Sequence, residues 1–207
     1  MELVGERWSL MIVRELMFGP RRFSDIRSAL PGISANVLTQ RLETLEAHGV
    51  VERTRLPPPA SVQVYGLTPW GYEADEMIMA LGRWAARSPD HDPSLPLSNT
   101  SLMMSFRTMF DPGKAAGDGG RFGFRLGEET FVVTVADGRL TAARAPAESV
   151  DVVFVGAPEP IAGFVYENVP LEALGDALEL EGDAARALAF QSWFKLPPKA
   201  TKPQPPE

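Results

Sequence analysis

The sequence predicts an α+β protein built from two domains, and three observations carry the prediction. From Arg22 to Gly71 the periodicity runs helix, turn, helix, two-stranded ribbon, capped helix. From Asn99 onward, strand-like alternation is bracketed by helical segments, the pattern of helices laid on one face of a mainly antiparallel sheet. Between the two lies SPDHDPSLPLS, Ser88 to Ser98, rich in proline and poor in large apolar residues, which reads as a linker. A length of 207 residues accommodates both halves.

In the first half, Ser24 stands where it could cap a short helix carrying Ile26 and Leu30, and Pro31-Gly32 ends that helix. Ser34 caps a second helix with Leu38, Leu42 and Leu45 at helical spacing. Its outer face keeps Asn36, Thr39, Gln40 and Arg41. Asn, Gln and Arg pair bidentately with base edges in the major groove, and Thr contacts bases or phosphates. Any solvated helix face has such a composition, so the order of elements is what distinguishes it. Two helices across a tight turn followed by a ribbon make a winged helix-turn-helix, whose second helix reads DNA.

The ribbon begins after His48-Gly49. Val50 to Arg55 alternates and is rich in strand formers, Leu56 to Ala60 is a stiff turn containing Pro57, Pro58 and Pro59, and Val62 to Leu67 alternates again. Arg53 and Arg55 share one face of the first strand and are expected to reach backbone phosphates beside the groove. Thr68-Pro69 supplies an N-cap and a proline at the first helical position. The helix expected from Pro69 to about Arg87 carries Met77, Ile78, Leu81 and Trp84, a stripe that is either core or dimer seam.

Several runs of this half resemble the HxlR family of winged-helix transcriptional regulators: GERW at Gly5 to Trp8, RFSDIR at Arg22 to Arg27, GIS at Gly32 to Ser34, LTQRLETLEAHGVVER at Leu38 to Arg53, and YGLTPWG at Tyr65 to Gly71. The resemblance spans residues 1–87 and implies a homodimer that sets two recognition helices on a pseudo-palindromic double-stranded operator. Half-sites one helical turn apart require the same two-fold symmetry. Family members usually carry a further helix ahead of the GERW-like run, often beginning near a cysteine, whereas Met1 lies only a few residues upstream. Either the start is truncated, or dimerisation falls on the helix after Pro69 and on residues beyond that helix. The chain has no cysteine, so the thiol sensing of some relatives is excluded for this sequence.

The net charge of −7 is opposite in sign to that of a nonspecific nucleic-acid binder, but the acidic excess lies mainly in the second half. Residues 1–87 are balanced, and their basic residues are all arginine, including Arg21, Arg22, Arg27 and Arg41. Arginine suits bidentate phosphate and guanine contacts. The expected DNA-contacting set is therefore Ser34, Asn36, Thr39, Gln40 and Arg41 in the groove, with Arg22, Arg53 and Arg55 on phosphates. No signal peptide and no apolar run near ~18 residues is present, so a cytoplasmic protein without a membrane span is expected. His91, between two aspartates in the linker, reads as solvent-exposed rather than as a metal ligand.

The second half opens with Leu102, Met103, Phe106, Met109 and Phe110 on a helix. Strands are expected at Phe122 to Leu126, Thr130 to Ala136, Arg139 to Ala143, Val150 to Val155 and Leu178 to Glu181, with turns at Gly127-Glu128 and Asp137-Gly138. Helices are expected at Pro160 to Tyr166, near Leu171, and after an Asp183 cap, the last ending with Phe190, Trp193 and Phe194. The tail from Pro197 to Glu207 is expected to be disordered. RFGFRLGEETFVVTVADGRL at Arg121 to Leu140, DVVF at Asp151 to Phe154, and LELEGDAARALAFQSWF at Leu178 to Phe194 resemble the sterol carrier protein-like lipid-binding domain, placed at residues 99–196. That resemblance implies a deep apolar cavity for fatty, sterol-like or other hydrophobic molecules. In place of the usual glycine before the second short helix stands Glu167-Asn168, which alters the cavity mouth.

Bulky apolar side chains supply the physical counterpart. Met103, Phe106, Phe122, Phe124 and Phe131 are candidate ligand contacts from the first part of the domain. Phe154, Phe164, Phe190, Trp193 and Phe194 complete the set, and the alternative is that all of them fill a core. No catalytic constellation or cofactor motif stands out. His48 and His91 are the only histidines and neither lies in the second domain, so a Ser-His site within it is excluded, and GDGG at Gly117 to Gly120 lacks the spacing of a phosphate loop. The sequence therefore reads as a non-enzyme: a homodimeric regulator, expected to repress, in which a hydrophobic effector biases two DNA-binding domains. Its rivals are a constitutive regulator whose second domain serves only dimerisation or partner docking, and a lipid carrier with a degenerate winged helix.

Overall fold

Trp8 turns the chain into its first helix: with φ at 82° it occupies the left-handed region, and α1 (Ser9–Glu15) begins directly after it. The computed structural model describes residues 4–90, 92 and 95–202, so His91 lies outside the described residues. α1 buries Ile12, Val13 and Glu15, with Leu16 just past its end. α2 (Phe23–Ala29) adds Ile26. Its cap corrects the sequence expectation. Arg22 holds the N-cap position and its N–H donates to Asp25 Oδ2 at 3.4 Å, while Ser24 sits inside the first turn and bonds Asp25 Oδ1 at 3.0 Å. A carboxylate at the third helical position reaches back to the N-cap amide, which a serine one position earlier does not.

α3 (Ala35–Ala47) starts on Ser34, whose Oγ accepts the Val37 N–H at 3.2 Å, and it buries Leu38, Leu42 and Leu45. Two reverse hydrogen bonds end it: Val50 N–H donates to the Leu45 carbonyl at 2.9 Å and Gly49 N–H to the Glu46 carbonyl at 3.0 Å. Gly49, at φ 73°, supplies the left-handed residue that this termination needs. The chain then runs into β1 (Val51–Arg55), paired antiparallel with β2 (Gln63–Leu67), Val51 opposite Leu67 and Arg55 opposite Gln63.

Thr68 ties the ribbon to the next helix. Its Oγ1 donates to the Gly49 carbonyl at 2.7 Å and accepts the Gly71 N–H at 3.0 Å. Gly71 lies so close to the Val50 carbonyl oxygen that a methyl group there would overlap it. With α4 (Pro69–Tyr72) pinned in this way, the chain tightens through Glu73 N–H to Trp70 (3.1 Å) and Ala74 N–H to Gly71 (3.2 Å), and α5 (Asp75–Ala85) begins afresh. The single helix expected from Pro69 to Arg87 is therefore two. Ile78 of α5 is buried, whereas Met77, Leu81 and Trp84 are exposed, Trp84 to 71%.

Contacts divide the chain into two units, Met1–Ile78 and Met79–Glu207, with the division inside α5. In the second unit α6 (Asn99–Met109) is capped by Ser98, which accepts the Ser101 N–H at 3.0 Å. Next in order come β3 (Gly120–Leu126), β4 (Glu129–Ala136), β5 (Arg139–Arg144), β6 (Val152–Gly156), α7 (Pro158–Glu167), α8 (Leu171–Leu174), β7 (Leu178–Gly182) and α9 (Ala184–Ser192). The sheet order is β5-β4-β3-β6-β7, antiparallel throughout except where β3 runs parallel to β6. Phe122 and Phe124 of β3 and Phe154 of β6 turn to the face where rings from α6, α7 and α9 meet them. On the other face Gly123 lets Ala147 and Val150 lie flat on the strand.

Two details at the end of the chain differ from expectation. Asp183 caps α9 through the Ala185 N–H (2.8 Å), but the helix stops at Ser192, so Trp193 and Phe194 lie beyond it, with Phe194 bridging to Phe110. The tail expected to be disordered from Pro197 is held as far as Lys202. Ala200 N–H donates to the Arg87 carbonyl at 2.7 Å, Lys199 Nζ to the Ala86 carbonyl at 3.0 Å, and Lys202 pairs with Asp90. Carbonyls just past the end of α5 lack helical partners, and the tail satisfies them. Residues 203–207 lie outside the described residues. No described helix is long and apolar enough to cross a membrane.

Candidate nucleic-acid interface

The exposed face of α3 is set by its buried one. With Leu38, Leu42 and Leu45 inward, Asn36, Thr39, Gln40 and Glu43 fall at positions i, i+3, i+4 and i+7 and are exposed. Three of the groove candidates thus share one surface. Ser34 is spent differently, since its Oγ already accepts from the helix start at Val37.

Arg41 departs from the expected groove set. One residue past Gln40, it is rotated about 100° around the helix. Its guanidinium is engaged by the N-terminal segment: Nη2 lies 2.8 Å from Glu6 Oε2, and Nε donates to the Arg7 carbonyl at 3.3 Å. The helix end is also paired, Glu46 Oε2 lying 3.3 Å from Arg53 Nη2.

The ribbon brings Arg53, Thr54, Arg55, Ser61 and Gln63 together around an open concavity of about 520 Å³. Strand alternation puts Arg53 and Arg55 on one face, both exposed, and Arg55 Nε donates to the Ser61 carbonyl at 3.1 Å, which fixes that side chain along the turn. Arg22 is exposed at the start of α2. Arg21, its neighbour, is buried and donates to Glu15 Oε2 at 2.8 Å. Sequence reasoning missed the three glutamates that hold these arginines, Glu6, Glu15 and Glu46. The pairs form between segments that only folding brings together, so no local spacing reveals them.

In the second unit the ten candidate ligand contacts are all buried. Phe190 meets the rings of Phe106 (5.3 Å), Phe122 (4.6 Å), Phe124 (5.6 Å) and Phe154 (5.7 Å), with Trp193 and Phe194 closing around it. Phe124 and Phe154 stack at 4.8 Å with 3° between their planes. Phe131 sits under the Arg144 guanidinium. Reasoning from apolar residues missed a polar member of this cluster. Half-buried Tyr166 lies between the rings of Phe106 and Phe194, and its hydroxyl is 2.7 Å from Ser105 Oγ. Loss of solvation pushes the Tyr166 phenol pKa well above its ordinary value, against the lowering effect of the Ser105 hydrogen bond.

Comparison with known proteins bears on the first half. The profile described as HxlR-like helix-turn-helix matches residues 3–93. The uncharacterized HTH-type transcriptional regulator YvaP of Bacillus subtilis is 37% identical over 84 residues, 41% of this chain and 78% of YvaP. The HTH-type transcriptional regulator YodB of the same organism is 37% identical over 83 residues, 40% of this chain and 74% of YodB. The solved structure of reduced YodB, at 35% identity, covers 44% of this chain and 89% of its own, with a TM-score of 0.40. The profile match and the two B. subtilis regulators accord with the Ser34-capped, Gly49-terminated α3 and the ribbon that follows it: the chain belongs to the HxlR-like helix-turn-helix family.

Proposed function

We propose that the protein is a homodimeric DNA-binding transcriptional regulator, acting as a repressor, whose operator occupancy is modulated by a hydrophobic molecule taken up by the second domain. In this reading residues 1–87 are the DNA-binding domain, 88–98 a linker, and 99–196 a sterol carrier protein-like ligand domain. The observation that carries the DNA half is the shared exposed face of Asn36, Thr39 and Gln40 on α3. These are side chains suited to base edges, and Arg53 and Arg55 flank them on the ribbon for phosphates. Ser34 serves by capping the reading helix, Arg22 adds a phosphate contact, and Arg41 contributes at the groove margin once released from Glu6. The exposed Leu81 and Trp84 on α5 support a second copy as partner, since large apolar side chains at helical spacing favour burial against their like.

The effector half rests on the resemblance of residues 99–196 and on the aromatic cluster. For a ligand to act, it must bind the DNA-competent and incompetent states with different affinity, and a difference of ~2 kcal/mol changes occupancy roughly thirtyfold. A specific observation favours a second reading: the rings around Phe190 touch one another. Under that reading the second domain is a filled-core element and DNA binding is constitutive. Selection of bound duplexes from a random pool, with and without cell lipid extract, separates the two. Enriched paired half-sites whose recovery changes with the extract support the regulated protein; enrichment indifferent to the extract supports the constitutive one. An unenriched pool removes the DNA-binding reading.

A further inference from the structure

Arg41 is the only basic residue of α3, and in the folded chain a carboxylate already occupies it. Glu6 reaches it at 2.8 Å, although the two residues belong to different segments. The segment bearing Glu6 is anchored rather than loose. Ser9 N–H donates to the Glu6 carbonyl at 3.1 Å, and the next carbonyl, that of Arg7, accepts Arg41 Nε at 3.3 Å. The Trp8 ring reaches Gly32 in the turn between α2 and α3, where a φ of 90° favours glycine, and Arg7 lies over that ring at 5.1 Å. The carboxylate is thus presented to the guanidinium by a built scaffold.

The chemistry of that contact is what a DNA phosphate would offer, an anionic oxygen on a guanidinium. Glu6 is 57% exposed and Arg41 20%, so the pair sits at the surface, where ion pairs add little to stability and exchange partners readily. Resting on the DNA-binding reading above, we infer that Glu6 is a specificity-determining residue, a phosphate stand-in that occupies Arg41 until a correctly seated duplex displaces it. Backbone contacts give affinity without sequence information, so an arginine held by its own protein withholds that affinity from random DNA. On the operator, base contacts from Asn36, Thr39 and Gln40 bring a phosphate close enough to exchange with the carboxylate. Discrimination then rises because the weaker, nonspecific complex loses the contact and the specific one keeps it.

The test compares the full-length chain with Glu6→Gln, Glu6→Asp and Glu6→Gln/Arg41→Gln. Binding is measured to a fluorescein-labelled duplex selected from the random pool and to a mixed-sequence duplex of the same length, from 50 to 200 mM salt. Glu6→Gln is expected to tighten mixed-sequence binding about three- to tenfold and to steepen its log–log salt dependence by about 0.9 per phosphate gained. The selected duplex changes less, so the ratio between them falls. Arg41→Gln added to Glu6→Gln cancels the gain, and Glu6→Asp, which keeps the charge, gives a smaller one. Unchanged melting temperatures show that folding is not the cause. If wild type distinguishes the duplexes and Glu6→Gln leaves mixed-sequence affinity and salt slope as they were, the Glu6 role is wrong and the DNA reading stands. If neither chain binds any duplex, both fall.

Discussion

Glu15, whose side chain is completely buried, accepts a hydrogen bond from Arg21 Nη1 at 2.8 Å, and Arg14 Nη2 approaches the other carboxylate oxygen at 3.0 Å. This joins α1 to the segment leading into α2. Removing Arg21 strips the buried carboxylate of one of its charged partners while the partly exposed Arg14 remains, so Arg21→Met is expected to destabilise the chain by up to about 3–5 kcal/mol. Glu15→Leu/Arg21→Met together should cost far less, because both charges leave the interior. Urea unfolding of the three proteins measures this, and a single-variant loss below about 1 kcal/mol would be inconsistent with the pair's burial.

The Thr68–Gly71 turn makes a second prediction. Gly71→Ala forces a methyl group onto the Val50 carbonyl and is expected to cost on the order of 1–3 kcal/mol. Thr68→Ala, which removes the cap on Gly71 and the bond to Gly49, is expected to cost about 0.5–2 kcal/mol. Because the two residues act on one turn, the double variant should lose less than the sum. Strict additivity in thermal or urea unfolding would show that the turn is not one unit.

The features legible in the sequence were those fixed by short-range chemistry. Ser34 and the leucine spacing define α3, and His48-Gly49 marks its end because a left-handed residue is needed there. The alternation of Phe122, Phe124 and Phe131 places the strands of the second unit within a residue or two. What escaped was set by contacts distant in sequence. The break after Tyr72 depends on Gly71 meeting Val50, and the partner of Arg41 is Glu6, 35 residues earlier. The held tail depends on carbonyls at Ala86 and Arg87. At the candidate interface, residue types were readable, but which arginines already had partners was not.

Tyr166 makes stability depend on pH at the alkaline end. Its folded pKa is raised above the ordinary 10.0, so the folded chain keeps a proton that the unfolded chain releases. The resulting contribution is complete below pH 10 and is lost as pH rises through the folded value. Tyr166→Phe should cost about 0.5–1.5 kcal/mol near neutrality, from the lost bond to Ser105. The difference between the proteins should then shrink above about pH 10 by up to ~1.4 kcal/mol per pH unit. A difference constant across alkaline pH in denaturant titrations would contradict this.

Phe190 is the ring that the others of the second unit surround, so its truncation should be felt throughout that cluster. Phe190→Ala is expected to destabilise by about 3–5 kcal/mol, combining lost burial with the cavity left behind. Near-ultraviolet circular dichroism should weaken as the packed aromatics lose their fixed surroundings. Loss of less than about 1 kcal/mol would mean that the cluster collapses freely around the gap.

The central claim, that the α3 face reads DNA sequence, is tested most directly by titrating wild type and Gln40→Ala against the selected duplex and against mixed-sequence duplex at one salt concentration. The expected result is a loss of about 1–3 kcal/mol on the selected duplex, with mixed-sequence binding little changed. Equal effects on both duplexes, or no effect on either, would contradict a reading role for that face.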